Sequence, residues 1–263
     1  MDSTTVQVRY ENEIAILELD DGKANALGHD AISSLVEKLD EVQDAGAVVL
    51  SGRPGKFSAG FDLAVMKSGE DAAREMLRSG VELFLKCYSF PRPIVAACTG
   101  HALAAGAILL MSCDLRVGAK GEFKIGLPEL AIGMSLPFFA TELARDRISK
   151  RHFTRATALG QQYDPEGARD AGFLDEVVDV DEVLSTSLAR AESLKSIGKT
   201  QLSLTRSTAR GETIKKIEDI LSFFFPNEII RKILMKYKGL IHPVARLVMQ
   251  PKLIEYHRFH KEY

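Results

Sequence analysis

The stretch PRPIVAACTGHALAAGAILLM, residues 91–111, decides the fold. Residues 94–99 are apolar and largely β-branched or small, which predicts a short strand buried on both faces. Gly100 ends that strand, and the small side chains after it predict a helix whose first turn another molecule can approach closely. Unpaired N–H groups at a helix start favour negative charge. Close helix packing would need the same small residues, so this turn alone does not establish a ligand site.

Strand and helix patterns alternate on both sides of this stretch. Residues 6–10 and 14–19 predict a hairpin, and residues 47–50 predict a further buried strand. Apolar side chains recur at helical spacing in several segments, namely residues 32–42, 70–88, 136–143, 152–159, 183–194 and 200–209. Asp164 before Pro165 predicts a capped helix start. Strand-helix-strand order implies parallel pairing and therefore an α/β fold.

The loop at residues 51–63 follows a strand and contains several glycines. Ligand sites of open α/β sheets lie in such loops, although a plain connection has the same composition.

Composition excludes several classes of protein. The chain has 263 residues, of which 46% are hydrophobic and 27% charged, as expected for one large globular domain or a domain with an appendage. A net charge of -2 gives no reason to expect nucleic acid. Cys87, Cys98 and Cys113 lie in apolar surroundings without metal-like spacing, which predicts buried thiols and no metal site. Without a secretion signal or a membrane span in the sequence, we expect a cytoplasmic location.

Five ordered segments resemble the crotonase, or enoyl-CoA hydratase/isomerase, superfamily. They are residues 25–27 (NAL), 57–63 (FSAGFDL), 93–102 (PIVAACTGHA), 113–116 (CDLR) and 123–129 (FKIGLPE). The resemblance implies a spiral of ββα units with a C-terminal helical region, and assembly as a trimer or a dimer of trimers. It also implies an acyl-CoA thioester substrate of fatty-acid metabolism, with coenzyme A as part of the substrate and no other cofactor.

The resemblance covers residues 5 to 210. We therefore divide the chain into a core at 1–210 with the acyl-CoA site and a C-terminal helical, basic segment at 211–263 for lid or oligomer contacts.

By this resemblance, two backbone N–H groups form an oxyanion hole for the thioester carbonyl, and the matching positions are Ala59 and Ala105. The family usually has glycines where this chain has Ala104 and Ala105, and backbone donors tolerate that change. Losing one such donor typically raises a barrier by about 2.7 to 4 kcal/mol. The positions that correspond to substrate contacts are Lys23, Ala24, Ala26, Phe57, Ala59, Phe61, Asp62, Leu63, His101, Ala105, Ile108 and Leu136.

The carboxylates select the reaction. Hydratases of the family have two glutamates, and here Glu129 matches the second while Ile108 occupies the first position. Adding water to a double bond requires an acid and a base, and isoleucine is neither. One carboxylate suffices to move a proton from C2 to C4 of a 3-enoyl thioester, so the pattern resembles that of Δ3,Δ2-enoyl-CoA isomerases. Apolar walls at Ile108, Leu136 and Phe138 are expected to raise the pKa of Glu129.

Two other hypotheses stay open at this point. The chain is a hydratase or another enolate-forming crotonase with an additional group elsewhere, or it is a non-catalytic acyl-CoA-binding protein. Asp62 and Asp114 fit loop or cap roles, and His101 fits a structural or tuning role. Ser58 lacks the surroundings of a nucleophilic serine.

The C-terminal residues differ in charge from the rest. Residues 226–263 contain eight Lys/Arg and three Asp/Glu, a net +5, while the remainder has 26 minus 33, or -7. Phe223 to Phe225 fit an acyl tunnel or, more commonly, subunit packing. Lys232, Lys236 and Lys238 fit coenzyme phosphates, an acidic membrane surface or, most commonly, water.

Overall fold

The computed structural model describes residues 5–224. Within the chain, residues 1–217 form one compact unit and residues 218–263 are assigned to a second. The boundary at residues 210 and 211 stays a prediction. The roles suggested for Phe225 and for the basic residues after it lie outside the described residues, as do the side chains of Phe223 and Phe224.

Strands and helices alternate along the described chain. The strands are β1 (Val6–Glu11), β2 (Ile14–Leu19), β3 (Ala26–Leu27), β4 (Ala47–Ser51), β5 (Gly55–Ser58), β6 (Gly60–Phe61), β7 (Ile94–Cys98), β8 (Gly100–Leu103), β9 (Leu115–Ala119), β10 (Ile125–Gly126), β11 (Gln162–Tyr163) and β12 (Glu176–Val178). The α-helices are α1 (His29–Glu41), α2 (Leu63–Ser68), α3 (Glu70–Tyr88), α4 (Ala105–Ser112), α5 (Phe138–Arg147), α6 (Lys150–Ala156), α7 (Pro165–Ala171), α8 (Val183–Leu194), α9 (Lys199–Ala209) and α10 (Gly211–Phe224). Short 3-10 helices lie at Glu129–Ile132 and Val180–Glu182.

The main sheet has six strands in the order β1-β2-β4-β7-β9-β12. β1 and β2 form the predicted antiparallel hairpin, and the remaining neighbours pair in parallel. Strands β4 and β7 are buried at every position; helix α8 contacts both of them, and β5 also contacts β7. Helix α8 packs on β4, β7 and β9, where Val49, Val95 and Val117 meet Val183 and Ala191. The α/β architecture is the one expected for a spiral of ββα units.

A second sheet, in the order β11-β10-β8-β5, corrects one prediction. We expected residues after Gly100 to begin a helix, but Gly100–Leu103 forms β8, and the helix begins at Ala105. A Cβ atom on Gly100 would lie 2.0 Å from the carbonyl carbon and oxygen of Gly55, so β5 and β8 approach more closely than any other residue allows. The loop at 51–63 likewise contains β5 and β6.

Several helix boundaries confirm the pattern and others shift. Helices α3 and α8 occupy the predicted residues, 70–88 and 183–194. Helix α5 begins at Phe138 instead of residue 136, because Pro137 disfavours helical geometry in the residue before it. Helix α6 covers 150–156 instead of 152–159. Asp164 caps α7 as predicted, since its carboxylate accepts the Gly167 N–H at 2.7 Å.

The three cysteines are buried and free, as predicted. Among residues 5–224, every helix is too short or too polar to cross a lipid bilayer.

Candidate active site

Helix α4 presents an unpaired amide at its first residue. All eight of its residues are buried, and it contacts α3, α5, β6 and β8. The N–H of Ala105 has no acceptor inside the helix, because the first amides of any α-helix lack one. Ala104, the residue before the helix, provides no side-chain hydrogen bond to cap the helix start. A buried helix start of this kind can stabilise negative charge on a bound group.

Ala104, immediately before α4, has a conformation that favours glycine. Its φ is +50° and its ψ is -124°. The N–H of Ala104 donates to the Gly126 carbonyl at 3.0 Å, and its carbonyl accepts the Ile108 N–H at 3.1 Å. Because L-residues rarely adopt this conformation, the surrounding hydrogen bonds hold Ala104 in a strained state.

The loop at residues 58–61 lies directly against the start of α4. Gly60 has φ +94°, and a Cβ atom there would lie 2.9 Å from the Leu103 carbonyl oxygen and 3.1 Å from the Ala105 nitrogen. A Cβ atom on Gly106 would lie 2.3 Å from the Ser58 carbonyl oxygen. The two glycines therefore permit backbone contact between this loop and the helix start.

The amide of Ala59 is not free in this structure. It donates to the Ala24 carbonyl at 3.1 Å, so its role as an oxyanion donor stays a prediction that requires this hydrogen bond to be shared. Strand β6 pairs with β3, and the N–H of Asp62, the residue directly after β6, donates to the Leu27 carbonyl at 3.3 Å. Successive amides of an extended strand point to opposite edges, so the Phe61 N–H is directed away from β3. Phe61 is thus a second candidate for the donor in this loop.

Glu129 follows a strand that pairs beside the same helix start. Ile125 and Gly126 of β10 pair with Ala102 and Leu103 of β8, and the Gly126 carbonyl accepts the Ala104 N–H. Three residues after Gly126, Glu129 begins a 3-10 helix. Glu129 therefore lies three residues along the chain from a backbone hydrogen bond to Ala104, the residue that precedes Ala105.

The environment of Glu129 favours its neutral form. Its exposed fraction is 6%, and one carboxylate oxygen, Oε2, is buried without a hydrogen-bond partner. This burial raises the pKa of Glu129 from 4.5 to about 7. A carboxyl with that pKa can both accept and return a proton near neutral pH.

The predicted apolar walls differ in exposure. Ile108 is buried, 1% exposed, and lies one turn into α4. Leu136 is half-buried, and Phe138 has an exposed fraction of 40%. Only Ile108 of the three is enclosed by the described residues.

The predicted substrate-contact positions between β2 and β3 are accessible in part. Lys23 is exposed, while Ala24 and Ala26 are half-buried. The Lys23 carbonyl accepts a hydrogen bond from Arg53 at 2.8 Å, and Arg53 also forms an ion pair with Asp20. These contacts order the loop between β2 and β3.

The other predicted substrate-contact positions lie in or next to the loop at residues 58–61, and several of them make structural contacts. Phe57 is buried, and the ring of Phe61 lies 6.1 Å from that of Phe84. Asp62 is a helix cap, as expected, since its carboxylate accepts the Ala64 N–H at 2.8 Å. Leu63 is exposed, and the Nδ1 atom of His101 accepts the Lys124 N–H at 3.0 Å.

Asp114 also has a structural role. Its carboxylate accepts the Ile94 N–H at 2.7 Å and pairs with Arg206 and Arg210. These bonds tie β7 to α9 and to the residue that follows it, so Asp114 is committed to the fold.

Sequence reasoning assigned no role to the side chain of Asn25, and it considered Ser58 only as a nucleophile. Both residues are fully buried, and the hydroxyl of Ser58, the first residue of the loop at 58–61, donates to the Asn25 carbonyl. Polar residues beside glycines in a turn were the one available signal, and that signal is common to many turns. No group of three metal-ligating side chains occurs within residues 5–224.

Comparison with known proteins identifies the family. Residues 9–219 match the family model described as enoyl-CoA hydratase/isomerase. The chain belongs to the enoyl-CoA hydratase/isomerase family. It is 29% identical over 237 residues to the human mitochondrial enoyl-CoA delta isomerase 1, covering 85% of this chain and 78% of that protein.

Solved structures of the family share the fold. An enoyl-CoA hydratase/isomerase family protein from Pseudomonas syringae is 39% identical, with a TM-score of 0.81 over 84% of this chain and 96% of that one. An enoyl-CoA hydratase from Mycobacterium ulcerans is 37% identical, with a TM-score of 0.80 over 83% and 96%. The chain is therefore an enzyme of the crotonase family, whose relatives include both isomerases and hydratases.

Proposed function

We propose that this protein is a Δ3,Δ2-enoyl-CoA isomerase. The observation that carries the proposal is a single buried carboxylate, Glu129, whose Oε2 atom has no hydrogen-bond partner, together with buried Ile108 at the position of the first hydratase glutamate. Similarity to the human isomerase supports it.

The reaction moves one proton and one double bond. Glu129 removes a proton from C2 of a 3-enoyl-CoA, and the C–H electron pair passes into the thioester to form a dienolate. The dienolate then takes the same proton from Glu129 at C4, which leaves the double bond between C2 and C3. Atoms and charge balance without another reactant, so one carboxyl with a near-neutral pKa suffices.

The dienolate oxygen needs hydrogen-bond donors while it carries charge. The Ala105 N–H at the start of α4 supplies one donor, and the helix dipole adds to it. The loop at residues 58–61 supplies the other, from Ala59 as the family motif implies or from Phe61 as strand geometry favours. Each donor is expected to lower the barrier by about 2.7 to 4 kcal/mol.

Backbone ester substitution distinguishes the two donors. Incorporating phenyllactic acid at Phe61 or lactic acid at Ala59 replaces one N–H by oxygen and keeps the side chain. We expect kcat to fall about 100-fold for the donor and to stay within a few-fold of wild type for the other position. Wild-type kcat in both variants would exclude the amides of Ala59 and Phe61 from the oxyanion hole.

The proposed activity is tested with two substrates. Purified protein is incubated separately with 3-enoyl-CoA and 2-enoyl-CoA of several chain lengths, and double-bond position and water addition are followed. We expect 3-enoyl-CoA to become 2-enoyl-CoA, and the Glu129→Gln variant to lose this activity. Hydration as the main reaction would favour a hydratase, and tight binding without turnover would favour an acyl-CoA-binding protein.

The hydratase alternative is favoured by the relatives that are hydratases. It requires a second acid or base. Within residues 5–222, where side-chain burial is described, the buried carboxylates are Glu129 and Glu142, and Glu142 already pairs with Arg145 at 3.3 Å. Glu129 is thus the one buried carboxylate of residues 5–222 outside an ion pair, which supports isomerisation over hydration.

The proposal also covers the oligomeric state, the cellular location and the cofactor requirement of the protein. We expect a homotrimer or a dimer of trimers, measured by sedimentation, and a cytoplasmic location, measured by cell fractionation. We also expect full activity without added metal or cofactor after exhaustive dialysis against a chelator.

A further inference from the structure

A buried hydrogen-bond relay supports the loop at residues 58–61. Ser58 is fully buried, and its hydroxyl donates to the Asn25 carbonyl at 2.7 Å. The same hydroxyl oxygen accepts the Gly60 N–H at 3.2 Å. Because one hydroxyl makes both bonds, the orientation of the Gly60 amide depends on the position of the Asn25 carbonyl.

Asn25 is fixed by contacts to two strand ends. It is fully buried, and its φ of +52° is one that asparagine tolerates better than most residues. Its side-chain Nδ2 donates to the Leu19 carbonyl at 2.7 Å, and it lies 3.2 Å from the Lys56 and 3.3 Å from the Phe57 carbonyl oxygens. The side chain of Asn25 therefore joins the end of β2 to the end of β5.

The backbone of Asn25 is fixed as well. The Asp21 carboxylate accepts the N–H groups of Lys23, Asn25 and Ala26 at 2.7, 2.8 and 3.0 Å. In return the Asn25 Oδ1 accepts the Asp21 N–H at 3.0 Å. The Asn25 carbonyl thus has a defined position from which to orient Ser58.

This relay ends where the loop touches the start of α4. Gly60 and Gly106 leave no space for a Cβ atom, so the loop and the helix start are in direct backbone contact. A displacement of the loop by a few tenths of an ångström would change the angle between its amides and the Ala105 N–H. Oxyanion donors act only when they are already oriented toward the developing charge.

We propose that Asn25 and Ser58 are positioning residues that orient the amides of residues 58–61 for the thioester oxygen. The proposal rests on the proposed function. Neither side chain contacts the substrate; both act by holding the loop in place. It predicts that their loss weakens polarisation of the bound carbonyl more than it weakens substrate binding.

The test compares two buried serines. Ser187 in α8 is also fully buried, and its hydroxyl donates to the Val183 carbonyl at 2.7 Å, as Ser58 donates to Asn25. Ser187→Ala is therefore a matched control for the loss of one buried hydroxyl. Asn25→Gly removes the side chain of Asn25 while glycine keeps the left-handed backbone.

The first readout is the infrared stretching frequency of a 13C-labelled thioester carbonyl in bound 2-enoyl-CoA. In wild type, and in Ser187→Ala, we expect a shift to lower frequency relative to free substrate. In Ser58→Ala and Asn25→Gly we expect at least half of that shift to be lost, with kcat reduced about tenfold and KM within about twofold.

An unchanged carbonyl shift in Ser58→Ala would overturn the positioning role, even if stability falls. If Ser58→Ala does not fold, Ser58→Cys keeps most of the volume with a weaker hydrogen-bonding group, and the same criterion applies. If the carbonyl frequency does not shift in wild type, the oxyanion hole of the proposed function is contradicted. The positioning role of Asn25 and Ser58 is then contradicted as well.

Discussion

Replacing Glu129 by glutamine is expected to abolish isomerisation and to stabilise the fold above neutral pH. Burial without a hydrogen-bond partner for Oε2 raises the pKa of Glu129 from 4.5 to about 7. The folded protein therefore binds this proton more tightly than the unfolded chain does. As pH rises from 4.5 to 7, Glu129 loses its proton in the unfolded chain while the folded protein still holds it, so the folded state is progressively destabilised relative to the unfolded chain.

The magnitude follows from the pKa difference. A separation of roughly 2.5 pKa units corresponds to about 3 kcal/mol, present in full above pH 7 and absent below pH 4.5. Glutamine does not ionise, so the Glu129→Gln variant does not lose this stability as the pH rises. Glutamine and a protonated glutamate have similar polarity. We therefore compare the free energy of unfolding of the variant with that of wild type at each pH, and follow how this difference changes with pH.

Equilibrium urea unfolding at pH 4.5, 6 and 8 measures this difference. We expect Glu129→Gln to gain about 3 kcal/mol relative to wild type between the lowest and highest pH. Glu142→Gln is the control, since Glu142 is 7% exposed but pairs with Arg145 at 3.3 Å and Lys216 at 3.9 Å. This control is expected to lose stability at pH 8. A pH-independent difference for Glu129→Gln would refute the reasoning.

Three further changes test other parts of the site. The kcat/KM of wild type should rise about tenfold per pH unit below pH 7 and level off above it, because the base must be ionised; a plateau already at pH 5.5 would contradict the raised pKa of Glu129. Ala104→Gly should stabilise the fold by about 1 kcal/mol in urea unfolding, since relief of strain at φ +50° exceeds the entropy of glycine, whereas Ala107→Gly within α4 should destabilise it. Gly60→Ala should lower kcat more than about tenfold, because its Cβ would lie 3.1 Å from the Ala105 nitrogen; Gly160→Ala, also at positive φ but with its nearest contact at 3.5 Å, should retain most activity.

Much of the fold could be predicted from local pattern. Helices α3 and α8 were bounded correctly because their apolar residues repeat at helical spacing. Strand β8 was missed, since Gly100–Leu103 is short and its partners β5 and β10 are distant in sequence. Pairing between distant segments outweighed a local pattern that favoured a helix.

The sequence predicts only part of the candidate site, because the rest depends on packing between distant segments. Glu129 and Ala105 were identified from motifs, but the burial of Glu129 depends on residues from several elements. The hydrogen bond from Ala59 to Ala24 depends on how two loops pack, which no motif encodes. For the same reason the contacts of Asn25 and Ser58 emerged only from the structure.

The most direct test of a single-carboxylate isomerase follows the fate of the transferred hydrogen. A 3-enoyl-CoA carrying deuterium at C2 is converted in ordinary water, and the product is analysed for deuterium at C4. Because Glu129 is 6% exposed, we expect part of the deuterium to be retained through transfer by one shielded carboxyl. Hydrogen at C4 derived entirely from solvent, together with a 3-hydroxyacyl-CoA product, would contradict the proposal and favour a hydratase.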